Sequence, residues 1–136
     1  MSENCSNSND FHKYCDDKGP TLTIVKTTKN KIFGGFTPLN WNNKWGGIKD
    51  EFNQTFIFSL NLMKKYDMID RIKDAIYCDN HDPHFGPADF KLNDNLKTGV
   101  TKYCNFLSNN NLELIEGKGD HEDFEVEELE IFKVIY

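Results

Sequence analysis
No run in this sequence approaches the roughly 18 apolar residues that a membrane-crossing helix needs, so no membrane insertion is expected. The first ten residues, Met1 to Asp10, are polar and lack the apolar core of a secretory leader, which makes the cytoplasm the expected location. Cysteine is sparse. Cys5, Cys15, Cys78 and Cys104 include no C-x-x-C pair, and without a leader they are expected to be thiols rather than a disulfide frame. The chain has no G-x-S-x-G, no H-E-x-x-H, no G-x-x-x-x-G-K-[ST] and no G-x-G-x-x-G; Gly34-Gly35 and Gly46-Gly47 match no phosphate loop. There is also no repeat period, no heptad and no alternation of strand with helix. The expected catalytic residues, metals and cofactors are none.

Aromatic carbon is what the chain has in quantity. Eleven Phe, five Tyr and two Trp make up 13% of 136 residues, which argues against disorder despite a mean hydropathy of -0.66. At 15.8 kDa, a single domain over residues 8–136 is expected, behind a flexible tail at residues 1–7. The net charge of -6 is unevenly spread: nine carboxylates face only Lys118 between Glu113 and Glu130, whereas Lys18 to Lys49 holds six lysines and no carboxylate. Such a split can steer partners without fixing a fold.

Ser8 or Asn9 can cap a short helix carrying Phe11, Tyr14 and Cys15 on one face, closed by a left-handed Gly19 and stopped by Pro20. Thr21–Lys26 reads as a strand with Leu22 and Ile24 on one face, and Thr28–Lys31 as a turn with Asn30 suited to positive φ. Ile32–Thr37 should pair back as a hairpin, its two glycines marking a bulge or a close backbone crossing. Residues 38–54 read as a long loop carrying Trp41 and Trp45. Thr55–Leu60 reads as a strand covered on both faces, with shorter strands at Ala75–Cys78, Ala88–Leu92 and Thr101–Phe106. In the last strand, Phe124–Val134, the apolar phase slips from Phe124 and Val126 to Leu129 and Ile131, which predicts a β-bulge near Glu127-Glu128. The expected fold is mainly β: a two-layer antiparallel β-sandwich with a few short edge helices.

Three constellations could carry chemistry. His81 and His84 form H-x-x-H near Cys78, Asp79 and Asp82, but a stretch holding Pro83, Gly86 and Pro87 reads more simply as a turn than as a zinc site. A Cys78–His81 nucleophile would need side chains brought together in space, and free cysteine is usually buried; Cys5, on the tail, is the thiol expected to be most accessible. The lysines from Lys18 to Lys49 interleave with Phe33, Phe36, Trp41 and Trp45 in the manner of a single-strand nucleic-acid surface, but a pI near 5.1 argues against nucleic acid.

Phe11-x3-Cys15, then Lys18-Gly19-Pro20-Thr21-Leu22 and Ile32-Phe33-Gly34-Gly35-Phe36-Thr37 with Trp41, resemble the TLDc domain. The similarity continues through Thr55–Leu60, Ala75–Cys78, Phe85-Gly86 and Asp89-Phe90 to Phe124-x-Val126-x-x-Leu129-Glu130-Ile131-Phe132. The resemblance implies a sandwich of two antiparallel sheets, and membership of a eukaryotic family that protects against oxidative stress. Several of its members bind the vacuolar proton-pumping ATPase. It implies no catalytic residues, and it makes Gly19, Pro20, Gly34, Gly35, Trp41 and Gly86 fold determinants. It also implies a further strand before the Phe-x3-Cys helix, whereas ten residues precede Phe11 here; this predicts an uncovered sheet edge, with either a homodimer through it or a stability below that of a full domain. The expected function is a non-enzymatic protein-interaction module with a protein partner, vacuolar ATPase subunits being the candidates. Lys44 and Trp45 are the candidate contacts, with Trp45 alternatively folded back on the core. A thiol-dependent peroxide scavenger or an unrecognised enzyme is the other reading.

Overall fold
The computed structural model describes residues 8–42, 44, 46–68, 74–78, 83–86, 90–93, 95–102 and 121–135. The expected tail, residues 1–7, lies outside them. Helix α1 (Ser8–Cys15) forms where the sequence places it. Phe11 and Cys15, four residues apart, are buried, while Tyr14 lies on the exposed side of the boundary. The residue that closes α1 is Asp17 (φ 56) rather than Gly19; Gly19 (φ 78) instead turns the chain into the first strand. Aspartate tolerates the left-handed region better than most residues do, which is why the earlier position could serve.

Among the described residues ten strands follow: β1 (Thr21–Thr27), β2 (Ile32–Thr37), β3 (Gly46–Ile48), β4 (Phe56–Ser59), β5 (Lys64–Asp67), β6 (Ile76–Cys78), β7 (His84–Phe85), β8 (Phe90–Leu92), β9 (Thr98–Lys102) and β10 (His121–Lys133). Their hydrogen-bonded order is β3-β6-β7-β8-β9-β10-β1-β2-β4-β5, with every neighbouring pair antiparallel. The thirteen-residue β10 belongs to both layers. Its first part, His121–Glu125, pairs with β9, and its remainder pairs with β1. The hinge is the anticipated bulge: Lys26 pairs with Glu128 but Thr27 pairs with Val126, so Glu127 is the extra residue. One added residue returns Leu129 and Ile131 to the face that Phe124 and Val126 occupy.

The two layers meet through rings. Phe11, Trp41, Phe85, Phe90, Phe33 and Phe124 make an unbroken series, with centroid separations of 5.2, 5.7, 4.9, 5.3 and 5.0 Å in that order. Four of the five contacts are edge-to-face, the arrangement favoured by the ring quadrupole. The glycine pair in β2 is a close approach, not a bulge, since the β1–β2 register runs without a shift. A Cβ on Gly34 would lie 1.9 Å from the Thr23 carbonyl oxygen, and one on Gly35 would lie 2.7 Å from the Phe85 ring of the facing layer.

Three expectations are corrected. The loop at 38–54 contains the edge strand β3. The His84-Phe85 segment is strand β7, because Phe85 pairs with both Ile76 and Phe90. Finally, β4 is sealed on one side only, with Ile57 and Ser59 buried and Phe56 and Phe58 half-buried. As expected, Leu22 and Ile24 share one face of β1, which is the half-buried outer one, while Thr21, Thr23, Val25 and Thr27 face the core.

Candidate functional site
Lys44 is exposed, and its amide donates to Asn42 Oδ1 at 2.8 Å, a local turn that fixes its backbone. Trp45, its expected companion, lies outside the described residues. The root of this loop is firmly held. Trp41 is fully buried, and its Nε1 donates to Thr21 Oγ1 at 2.9 Å. The Trp41 carbonyl accepts from the Asp17 amide at 2.9 Å, and Asn40 Oδ1 accepts from the Gly19 amide at 2.7 Å. Helix α1, the Gly19-Pro20 turn and the start of the Lys44 loop are therefore tied together by hydrogen bonds. A side chain presented three residues beyond such an anchor loses less conformational entropy on docking than one on a free loop.

The side chains with reactive potential are placed differently. Cys15 and Cys78 are 4% and 1% exposed, and His84 is 4% exposed with its ring stacked on Tyr77 at 5.0 Å. His81, Asp79, Asp82, Cys5 and Cys104 lie outside the described residues, so the H-x-x-H arrangement is placed only at His84. Among the described residues no three His, Cys, Asp or Glu side chains gather as a metal site would require. Gly86 takes a left-handed φ of 63 where its amide bonds the Ala75 carbonyl at 2.7 Å, tying the end of β7 to the start of β6. A pair that the sequence reading missed is His12 Nδ1 with Asp16 Oδ1, 2.7 Å apart and both partly buried. Its i, i+4 spacing on α1 was the available signal.

A second surface was also missed. On the outer face of the β1/β2/β4 layer, Leu22, Phe36 and Phe56 stand in cross-strand register, with Phe132 of β10 beside Leu22. Phe58 lies next along β4, its ring over the notch left by Gly34. Phe36 and Phe56 are 5.5 Å apart, and Lys65 Nζ sits 4.6 Å above the Phe56 ring. All four phenylalanines are half-buried. Alternation of Phe56 and Phe58 with Ile57 and Ser59 was the signal: in an antiparallel strand, a large residue at every second position marks one face. Elsewhere on this layer the Asp50 carboxylate is buried and accepts from the amides of Phe52, Gln54 and Thr55 and from the Thr55 hydroxyl, holding a turn that displays Phe52.

Comparison with known proteins agrees with this architecture. The TLDc domain family matches residues 1–135, essentially the whole chain, and the chain belongs to that family. The MTOR-associated protein MEAK7 of Danio rerio is 39% identical over 49 residues, 34% of this chain. The aligned part is 10% of that relative, so the chain corresponds to a small fraction of its length.

Proposed function
We propose that, as a member of the TLDc family, this chain works as a non-enzymatic protein-interaction module in the cytoplasm, in defence against oxidative stress. Subunits of the vacuolar proton-pumping ATPase are its proposed partners. The observation that carries this reading is a contrast in placement. The described thiols, Cys15 and Cys78, and the His84 imidazole are packed inside and His12 is partly buried against Asp16, while Lys44 and the Phe36/Phe56/Phe58 face stand toward solvent. A thiolate that scavenges peroxide needs access to solvent and a charge that stabilises it, and burial opposes both. The Danio rerio relative is named for association with MTOR, so an MTOR-containing assembly is the second partner to test. Self-association through β3 or β5, the end strands of the sheet among the described residues, belongs to the same proposal.

The test is capture of purified vacuolar ATPase subunits by the immobilised chain, with the Lys44→Ala/Trp45→Ala variant alongside. Capture by the native chain, reduced about tenfold or more in the variant with an unchanged melting temperature, is expected from loss of a central aromatic–basic contact. Equal capture by both forms would move the contact elsewhere, and no capture would remove the pump as partner. The scavenger reading is tested separately by replacing all four cysteines and measuring cell survival under peroxide. Undiminished protection is expected; loss of protection with the fold intact would restore that reading.

A further inference from the structure
One end of the β1/β2/β4/β5 layer is formed by two turns that are fused together. The β1–β2 turn is closed by Thr27, whose amide bonds the Lys31 carbonyl at 2.9 Å and whose hydroxyl accepts from the Lys29 and Lys31 amides. The β4–β5 turn is joined to it by Asn61, whose Oδ1 accepts from the Ile32 amide and whose Nδ2 donates to the Asn30 carbonyl at 3.4 Å. The Leu60 amide adds a bond to the Ile32 carbonyl at 2.9 Å. At the tip of this rigid pair, Leu60 and Met63 are 47% and 84% exposed. Lys29, Lys64 and Lys65 are exposed beside them and Lys31 is half-buried. Met63 also has a left-handed φ of 53, a conformation that favours Gly or Asn over an unbranched apolar side chain. Local backbone geometry and packing therefore give no reason for Met at this position.

We propose that the β4–β5 tip of this fused pair is a peripheral docking site for membrane surfaces rich in anionic phospholipid, with Leu60 and Met63 entering the headgroup–acyl boundary and Lys64 and Lys65 contacting lipid phosphates. The apolar groups sit on a convex tip rather than in a groove, and a tip of this kind suits a penetrable surface better than a rigid protein. They are aliphatic, whereas a single-stranded nucleic acid would be met by rings on which bases stack. Charge agrees. The only described carboxylate next to the β4–β5 turn is Asp67, 3.1 Å from Lys65 in an exposed pair that a lipid phosphate can replace at little cost. The carboxylates of β10 lie three to four strands from the β4–β5 turn in the sheet order, roughly 14–19 Å at the usual strand spacing, beyond the screening length of about 8 Å at physiological salt. The β1–β2 turn differs, since the Thr28 amide bonds the Glu125 carbonyl at 3.0 Å and that turn stands beside the acidic strand, so the lipid contact is assigned to the β4–β5 tip alone. No described helix is long and apolar enough to cross a membrane, and this contact needs none.

The experiment is co-sedimentation of the full chain with vesicles of phosphatidylcholine alone and with vesicles enriched in phosphatidylserine. Binding to the second and not the first is expected, weakening as salt rises. Met63→Asn should weaken it about fivefold while leaving thermal stability equal or higher, because Asn is at ease in the left-handed region and removes only the apolar tip. Lys64→Gln/Lys65→Gln should weaken it about fivefold per lysine. Absence of binding would overturn the proposal, as would binding indifferent to Met63→Asn, which would be plain charge adsorption. An oligonucleotide or an acidic polypeptide held as tightly as the phosphatidylserine vesicles would also overturn it.

Discussion

The buried bond between Trp41 Nε1 and Thr21 Oγ1 can be isolated with a double-mutant cycle. Both side chains are almost wholly inaccessible, so neither group can turn to water when its partner is removed. Thr21→Val keeps the side-chain shape but leaves the indole N–H unpaired, at an expected cost of about 1–3 kcal/mol. Trp41→Phe leaves the Thr21 hydroxyl unpaired and also removes ring area packed against Phe11 and Phe85, so its cost is larger, about 2–4 kcal/mol. In the double variant no orphaned group remains. Its loss should therefore fall short of the sum of the single losses by about 1–1.5 kcal/mol, the net value of a hydrogen bond within the protein. Urea unfolding followed by far-ultraviolet circular dichroism reads each corner of the cycle without depending on tryptophan fluorescence. A coupling indistinguishable from zero would refute the reasoning: the bond would then be geometric coincidence, and the joining of α1, β1 and β7 at Trp41 would rest on ring packing alone.

The two glycines of β2 should differ in kind. Gly34→Ala sets a methyl 1.9 Å from a backbone oxygen that cannot retreat without breaking the β1–β2 ladder, whereas Gly35→Ala meets the Phe85 ring at 2.7 Å. Overpacking of the second sort costs about 1–3 kcal/mol, so Phe85→Leu should recover part of the melting temperature lost in Gly35→Ala and none of that lost in Gly34→Ala. Glu127→Ala should be within about 0.5 kcal/mol of the native chain, as expected for an exposed site. Deleting Glu127 should also leave cooperative unfolding in circular dichroism intact, since without the extra residue Phe124, Val126, Leu129 and Ile131 alternate regularly and Glu128 and Glu130 stay outward.

The bulge was legible because strand periodicity is a two-state code, and a slip between Val126 and Leu129 admits one simple repair. The short helix and the β1–β2 hairpin were legible because Pro20 and Asn30 have strong local preferences. Strands β5 and β7 were not. Lys64-Lys65-Tyr66-Asp67 and His84-Phe85 have little preference of their own, and each becomes a strand only by pairing with β4 or with β6 and β8. Which face of β1 points inward was not legible, for a related reason. The facing layer contributes Phe85, Phe90 and Phe124, so the β1/β2 layer must offer small partners, and Thr21, Thr23 and Gly35 take that role while Leu22 and Ile24 turn outward. Hydrophobicity ranks residues but does not weigh the volume waiting on the opposite sheet. Of the candidate contacts, the exposure of Lys44 agrees with the basic, carboxylate-free composition of its segment, and its role as a contact is a proposal. The aromatic outer face and the fused turns depend on cross-strand register and on the Asn61 bonds, which join residues about thirty positions apart.

The route of β10 also governs how surface charge is arranged. Because the bulge keeps Phe124, Val126, Leu129 and Ile131 inside, the intervening Asp123, Glu125, Glu128 and Glu130 stay on the outside of both layers, and together with Glu127 they form an exposed acidic line along one strand. The lysines of the β4–β5 turn stand at the opposite side of the same layer. An anionic surface attracts the second group and repels the first, so the field itself would orient the chain as it approached and keep the β10 side facing away. A basic partner would favour the reverse pose. The two surfaces can then be occupied together only if they are reached from different sides, which the separation of three to four strands provides. The half-buried Phe36/Phe56 face lies between them, and Lys65 above Phe56 is the side chain common to that face and to the turn. A ligand that draws Lys65 away uncovers the ring, and a partner packed on the ring competes for the lysine. Occupancy of the turn and of the aromatic face is therefore coupled through this one cation–π contact, with a magnitude of about 0.5–1 kcal/mol at so exposed a site.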